Sequence, residues 1–234
     1  MKLHSLGKNK SFSGNTLEKQ GETELRTVVK LGGSLIKHSA SIIAHLEERF
    51  GDSEQEHSIL IVPGGGVFAN SIREISKKCS IGDDAAHWMA ILSMEQYAYF
   101  LMDKTGVSSV EDIHNVPMGV SVLLPYRMLK ETDRLPHSWD VTSDTIGAWV
   151  AKETGSRFVK VTDVDGVIAD DIVQKWMTAV ELSRMGTTCI DSSLAGFLMK
   201  NIMDCVVVNG MYPERVIDAV IGKNVIGTHI KGNI

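Results

Sequence analysis

Thr27-Val28-Val29-Lys30-Leu31-Gly32-Gly33-Ser34-Leu35 is the stretch from which the rest of the chain can be read. Residues 28–31 have the length and β-branched content of a buried strand. The run stops on Gly32-Gly33. Residues 34–50 then carry Leu35, Ile42, Ile43, Leu46 and Phe50 at helical spacing, which predicts a helix. A strand that feeds a helix through paired glycines presents bare backbone N–H groups at the helix N-terminus. Such a turn suits phosphate, because glycine projects nothing and the helix dipole favours an anion. Lys30 is the residue out of place. A lysine inside an apolar strand is costly unless its ammonium emerges at the strand end and meets an anion there. The plain alternative is a strand and turn with an edge lysine. Neither G-x-x-x-x-G-K-[ST] nor G-x-G-x-x-G is present, so the support must come from further along the chain.

The same pattern recurs at once. His57-Ser58-Ile59-Leu60-Ile61-Val62-Pro63 predicts a second buried strand, ending on Gly64-Gly65-Gly66, and a helix follows with Val67, Phe68, Ile72 and Ile75 on one face. Two backbone cradles at one edge of a parallel sheet would result. Two tight glycine turns are the alternative, but three glycines after a buried strand favour the cradle. Asp83 or Asp84 is placed to cap a long helix running to about Lys104, whose apolar positions fit a core helix or a subunit interface. Further strands are expected at 120–124, 157–162, 205–208 and 225–230, with helices at 143–153 and from about Pro213. Strands alternating with helices predict an α/β fold with a mainly parallel sheet covered on both faces. Residues 1–24 are polar and aperiodic and read as a mobile leader, which leaves 25–234 as one domain.

Composition bounds the function. The chain has 234 residues, 43% hydrophobic and 23% charged, which is ordinary for a globular protein. A formal net charge of -5 without a basic run argues against nucleic acid as the main partner. No stretch is long and apolar enough to span a bilayer. Cys79, Cys189 and Cys205 are scattered and unpaired in spacing, which fits a reducing, cytoplasmic compartment. The histidines show no metal-ligand spacing, so no protein metal site is expected.

Three further stretches carry polar residues where chemistry could sit. In Ser138-Trp139-Asp140-Val141-Thr142-Ser143-Asp144-Thr145, a helix beginning at Asp140 would put Asp140 and Asp144 on one face. Ser143 or Asp144 could instead cap that helix. In Lys160-Val161-Thr162-Asp163-Val164-Asp165-Gly166-Val167, a buried strand runs into two acids at the carboxyl edge, where open α/β sheets bind ligands. Metal ligation, ribose hydrogen bonding and a plain Asx turn are all compatible with it. The last is Val208-Asn209-Gly210, with Ile226-Gly227-Thr228 beyond it.

In this order the set Lys30-Leu31-Gly32-Gly33-Ser34, Pro63-Gly64-Gly65-Gly66, Ser143-Asp144-Thr145, Thr162 to Val167, Asn209-Gly210 and Gly227-Thr228 resembles the amino acid kinase superfamily. The resemblance implies a three-layer αβα sandwich and transfer of the γ-phosphoryl of ATP, with Mg²⁺, to a carboxylate, carbamate or phosphate. It implies that Lys30 contacts the transferred phosphoryl and that Asp144 orients this lysine. Gly32, Gly33, Ser34, Gly64, Gly65 and Gly66 would line the phosphates, and Thr162, Asp163, Asp165, Gly166 and Val167 the nucleotide. It also implies a homodimer or higher homo-oligomer. The second lysine of the amino-acid-phosphorylating branch is missing from Thr188-Cys189-Ile190-Asp191-Ser192-Ser193-Leu194. The run Ser138 to Asp144 most resembles the branch that phosphorylates [5-(aminomethyl)furan-3-yl]methyl phosphate to its diphosphate in methanofuran biosynthesis. On that resemblance Asn70, Arg73, Trp139, Asp140, Thr142 and Ser143 would bind the acceptor, with Asp140 on its ammonium, Trp139 on its ring and Arg73 on its phosphate. Uridylate or isopentenyl phosphate kinase is the alternative within the superfamily. A molybdate- or tungstate-storing ATP-binding protein is the alternative of another class.

Overall fold

The computed structural model describes residues 25–51, 57–186 and 188–232. The predicted leader lies outside these residues. In chain order the elements are β1 Leu25–Leu31, α1 Ser39–Phe50, β2 His57–Pro63, α2 Gly66–Cys79, α3 Asp83–Thr105, β3 Ser108–Val110, β4 Gly119–Leu123, α4 Tyr126–Thr132, α5 Ser143–Glu153 and β5 Arg157–Thr162. They continue as β6 Ile168–Ala169, β7 Ile172–Val173, β8 Trp176–Thr178, α6 Ala179–Ser183, α7 Leu194–Asn201, β9 Cys205–Asn209, α8 Pro213–Val220 and β10 Gly227–Lys231. Eight strands form one sheet in the order β3-β4-β2-β1-β5-β9-β10-β8. All neighbours run parallel except β9 and β10. Helices cover both faces, which is the αβα sandwich expected from the sequence. No helix among the described residues is long and apolar enough to cross a membrane.

The pleat assigns side chains to the two faces. Val29 and Leu31 of β1 pack with Ile42 and Leu46 of α1, Tyr97 and Leu101 of α3, and Val216 of α8. Val28 joins the opposite cluster, with Ile146 and Trp149 of α5, Leu198 of α7, and Ile91 and Met94 of α3. α3 therefore serves both clusters, which explains why its apolar residues do not keep to one stripe. By the same alternation Lys30 lies on the α5 side of the sheet. Lys160 does so on β5, where Phe158 belongs to the α5-side cluster and Val159 and Val161 to the other.

Two expectations are corrected at element starts. The helix predicted from Ser34 begins at Ser39. Residues Gly33–Leu35 form a separate 3₁₀ turn, closed by bonds from Leu35 N–H to the Gly32 carbonyl and from His38 N–H to the Leu35 carbonyl. Apolar periodicity is blind to this, because Leu35 is buried in either conformation. The long helix is preceded by Gly82 rather than capped by an aspartate side chain, and Asp83 and Asp84 occupy its first turn, where they meet the helix dipole.

The carboxyl edge of the sheet is pinned by loop-to-strand bonds. Gly32 N–H donates to the Val161 carbonyl, Gly64 N–H to that of Leu31 and Gly210 N–H to that of Thr162, each at 2.8 Å. The two glycine loops then touch directly. A Cβ on Gly33 would lie 2.2 Å from the Gly66 Cα, and Gly66 itself has φ +51°. Gly33→Ala is therefore expected to force the loops apart and to cost about 1–3 kcal/mol by overpacking, read as a lower melting temperature. An unchanged melt would show that the loops are not in contact in solution.

Candidate active site

β1 and β5 place Lys30 directly opposite Lys160 in register. Both side chains point to the same face and are buried, 6% and 2% exposed. Two ammonium groups so placed repel each other, and Asp144 sits between them. Its Oδ1 lies 2.7 Å from the Lys30 Nζ and 2.6 Å from the Lys160 Nζ. α5 can bring Asp144 this close because Gly147 faces β1: a Cβ there would lie 3.2 Å from the Lys30 Cβ and 3.0 Å from the Phe158 ring.

The charges decide the protonation of the trio. Burial by itself would raise the Asp144 pKa, but Lys30 and Lys160 overcome it and hold the carboxyl well below the usual range. Burial opposes the charge on Lys160 too, and Asp144 outweighs it, so its pKa is raised. For Lys30 burial wins: Asp144 raises its pKa and Lys160 lowers it, for a net downward shift. Two lysines share one carboxylate.

The remaining Asp144 oxygen is also committed. Oδ2 accepts from the Asp191 N–H at 3.1 Å. The Asp191 carboxylate in turn accepts from the backbone N–H and hydroxyl of Thr142, the N–H and hydroxyl of Thr145, and the N–H of Leu194, at 2.7 to 3.0 Å. It thereby satisfies the start of α5 and the start of α7 together. The capping role considered for Ser143 or Asp144 thus belongs to Thr142, the N-cap residue, supported by Asp191.

A cavity of about 580 Å³ opens beside this centre. Gly33, Ser34, Gly65 and Gly66 line it, together with Asn70, Arg73, Trp139, Thr142 and Ser143. Arg73 donates to the Asn70 side-chain oxygen at 3.2 Å, and its guanidinium lies 4.8 Å from the Trp139 ring centre. Trp139 is thus part of the cavity wall. Three expected residues stand apart. Gly32 and Gly64 use their N–H groups within the fold, as described above, and do not line the cavity. Asp140 is exposed and accepts a hydrogen bond from Ser192. The helix starts at Ser143, so Asp140 lacks the one-turn relation to Asp144 that a longer helix would have given it. No carboxylate is among the residues lining the cavity, whereas His87 is among them.

The Thr162–Val167 segment turns away from β5 along the carboxyl edge. Thr162 is buried and donates to Asp163 at 3.2 Å. Asp165 accepts from Asn209 at 3.0 Å and from Arg215 at 2.7 Å, and these bonds hold its carboxyl below the ordinary range. Val167 N–H donates to the Thr228 hydroxyl at 2.8 Å, which ties this loop, with the buried Gly166, to β10. Asp165 and Gly227 border a second cavity of about 340 Å³ together with Lys175, Trp176 and His229. Among the described residues no group of three His, Cys, Asp or Glu side chains is placed to hold a metal ion.

Lys160, Asp191, His87 and Arg215 were not expected at a site. Lys160 had a visible signal, since it interrupts an apolar strand just as Lys30 does. It is the second lysine bound to Asp144. Removing the shared anion should unfold the centre. Asp144→Asn leaves two buried ammonium groups unpaired and is expected to cost about 3–5 kcal/mol, whereas Lys30→Ala keeps the Asp144–Lys160 pair and should melt close to wild type. The advantage of wild type over Asp144→Asn should hold above about pH 4 and shrink as pH falls toward the depressed folded pKa. Thermal melts across pH test this, and an Asn variant as stable as wild type would mean that Asp144 does not carry the charge of both lysines.

The chain is similar to known proteins. Residues 25–111 match the model of the amino acid kinase family. The chain is 31% identical over 212 residues to a [5-(aminomethyl)furan-3-yl]methyl phosphate kinase from Methanocaldococcus jannaschii, covering 88% of this chain and 97% of the relative. Among solved structures, a uridylate kinase from Archaeoglobus fulgidus superposes with TM-score 0.65 at 19% identity, over 88% of this chain and all of that one. An aspartate kinase from Synechocystis superposes with TM-score 0.63 at 13% identity, over 88% of this chain and 39% of that one. These two show the fold alone. With the relative matched along nearly its whole length, the chain belongs to the amino acid kinase family and is a kinase.

Proposed function

We propose that the protein transfers the γ-phosphoryl group of ATP to the phosphate of a small monoester, and that its favoured acceptor is [5-(aminomethyl)furan-3-yl]methyl phosphate. The observation that carries this reading is the buried Lys30–Asp144–Lys160 centre beside a cavity walled by glycine backbone. Phosphoryl transfer passes through a loose transition state with charge spread over equatorial oxygens, so catalysis is positioning plus positive potential. The two lysines supply that potential. Lys30 and Lys160 meet the transferring group, and Asp144 holds both in place. Gly33, Ser34, Gly65 and Gly66 surround the phosphates. Thr162, Asp163, Asp165, Gly166 and Val167 lie along the nucleotide. Asp144 is bound by both lysines and the Asp191 N–H and is not free to hold a metal, so Mg²⁺ would enter with the nucleotide and would supply charge neutralisation there.

The same geometry speaks to the acceptor. Asp144 is held so strongly ionised that it cannot take up a proton as a general base. The acceptor must therefore bring an oxygen that is already anionic. A phosphate monoester does so near neutral pH, because its second pKa is about 6. Its oxygen forms the new bond to the γ-phosphorus as the bond to the bridging oxygen breaks and ADP leaves. Arg73 is placed to meet the acceptor phosphate. With no carboxylate in the lining, an ammonium would be met by the Trp139 face, the Asn70 carbonyl and a neutral His87. The relative's substrate supports this choice. A second reading, an isoprenoid phosphate, is favoured by Ile91, Met94, Val141 and Ile146 in the lining. We also infer a homodimer or higher homo-oligomer, because α3 leaves Leu92 and Tyr99 exposed and a second copy would cover them. A monomer by sedimentation at working concentration rejects this.

ADP release measured with the aminomethylfuran phosphate, its analogue lacking the amine, uridylate and isopentenyl phosphate decides the acceptor. The first should give the highest kcat/KM, and preference for either of the last two overturns the assignment. Lys30→Ala and Lys160→Ala should each lower kcat by about a hundredfold to a thousandfold, as expected for losing one preorganised donor to the transition state. Wild-type turnover in the Lys160 variant would remove that residue from the chemistry.

A further inference from the structure

Residues 133–142 connect α4 to α5 and carry Trp139 into the cavity wall. One ring in this connection is held on every side. The His137 Nδ1 lies 2.7 Å from an Asp84 carboxylate oxygen, and its Nε2 lies 2.7 Å from one of Asp133. Its face stacks on His87 at 4.2 Å between ring centres, and the Trp88 ring meets it edge-on at 5.0 Å. Asp84, His87 and Trp88 all belong to α3, so His137 joins the connection to the start of that helix. A carboxylate only accepts hydrogen bonds, and a neutral imidazole has one N–H to give. Two carboxylates on the two nitrogens therefore require the doubly protonated ring.

We propose that His137 is a positioning residue for the acceptor: clamped between Asp84 and Asp133, it straps the segment that carries Trp139 onto α3 and so sets one wall of the acceptor cavity. The proposal rests on the acceptor reading given above. The titratable groups facing the ring fit the role. Asp84 from α3 and Asp133 following α4 favour its charge, and hydrogen bonds from the ring to these two acids raise its pKa. His87 shares the stack and lines the cavity. Burial first and then the neighbouring His137 lower its pKa to about 4, so it stays neutral. Lys130 of α4, the other charge nearby, is directed onto the Trp88 ring at 4.1 Å. The pair thus divides the work: His137 carries charge at the surface and His87 presents an uncharged ring to the acceptor. As pH rises through the raised pKa of His137, the ring keeps one N–H and one of the two carboxylate bonds is lost.

Two measurements test this. In the ligand-free protein, the His137 ring and the Trp139 indole N–H are followed by NMR from about pH 6 to about pH 9. The Trp139 resonance should move with the His137 midpoint, and a Trp139 signal that is constant through that titration overturns the strap. In kinetics with ATP and the aminomethylfuran phosphate, His137→Gln should raise the acceptor KM about threefold to tenfold, as suits exposed ion pairs of modest strength, and leave the KM for ATP unchanged. Asp133→Asn, which keeps the ring, should act in the same direction. The gap between wild type and His137→Gln should close at alkaline pH, where wild type has lost a bond as well. The acceptor's own phosphate titrates near pH 6 and contributes equally to both enzymes. Equal changes in both KM values, or a pH-independent gap, overturn the proposal. Trp139→Ala separates the two ways it could fail. If that variant leaves the acceptor KM unchanged, the acceptor reading falls and the proposal with it. If it raises the KM while His137→Gln does not, only the strap falls.

Discussion

Two lysines of like charge, side by side on neighbouring strands in a buried setting, are tolerated only because one carboxylate reaches both. Without Asp144 the β1–β5 pairing would bring the ammonium groups together at a cost on the order of several kcal/mol. The strands must pair to build the centre of the sheet, so the carboxylate has to arrive from the helix layer above. That sets the position of α5 on β1 and demands a small residue, Gly147, at the contact. It also demands that the helix start be held, and Asp191 does this through Thr142 and Thr145. The buried charges and the packing of α5 are one construction.

The balance of this centre also explains what the site does not contain. A carboxylate shared by two ammonium groups is a poor base, and its second oxygen is bound to the Asp191 N–H. Proton abstraction is therefore left to chemistry that needs none. On the reading proposed above, the acceptor arrives with its attacking oxygen ionised, so one such centre can serve more than one anionic acceptor. What must differ is the wall around that oxygen.

Much of this was legible in the sequence, and the rest was hidden for identifiable reasons. β2, α5 and β5 fall where apolar runs and polar punctuation place them, since a fully buried parallel strand leaves an uninterrupted signature. Short elements such as β3, β6, β7 and β8 have too few residues to show a period. A helix beginning at Asp140 would set it one turn from Asp144, yet the chain there turns and only winds from Ser143. Asp191 gave no local sign, because its partners Thr142 and Thr145 lie 49 and 46 residues away. Lys160 was within reach. It breaks an apolar strand two residues from its end, and Lys30 does so one residue from the end of β1, but the acidic motif that follows Lys160 is the more conspicuous feature.

The contact between Gly33 and Gly66 has a consequence for how such a protein can change. Two backbones already touching leave no slack, so the glycine side of the cavity is a single rigid block and cannot be retuned a residue at a time. The second side is built from α2 beyond Gly66 and from the connection before α5. Substitutions there can reshape the wall and leave the block alone. Divergence toward new acceptors is thus channelled into the second side, with the first inherited whole.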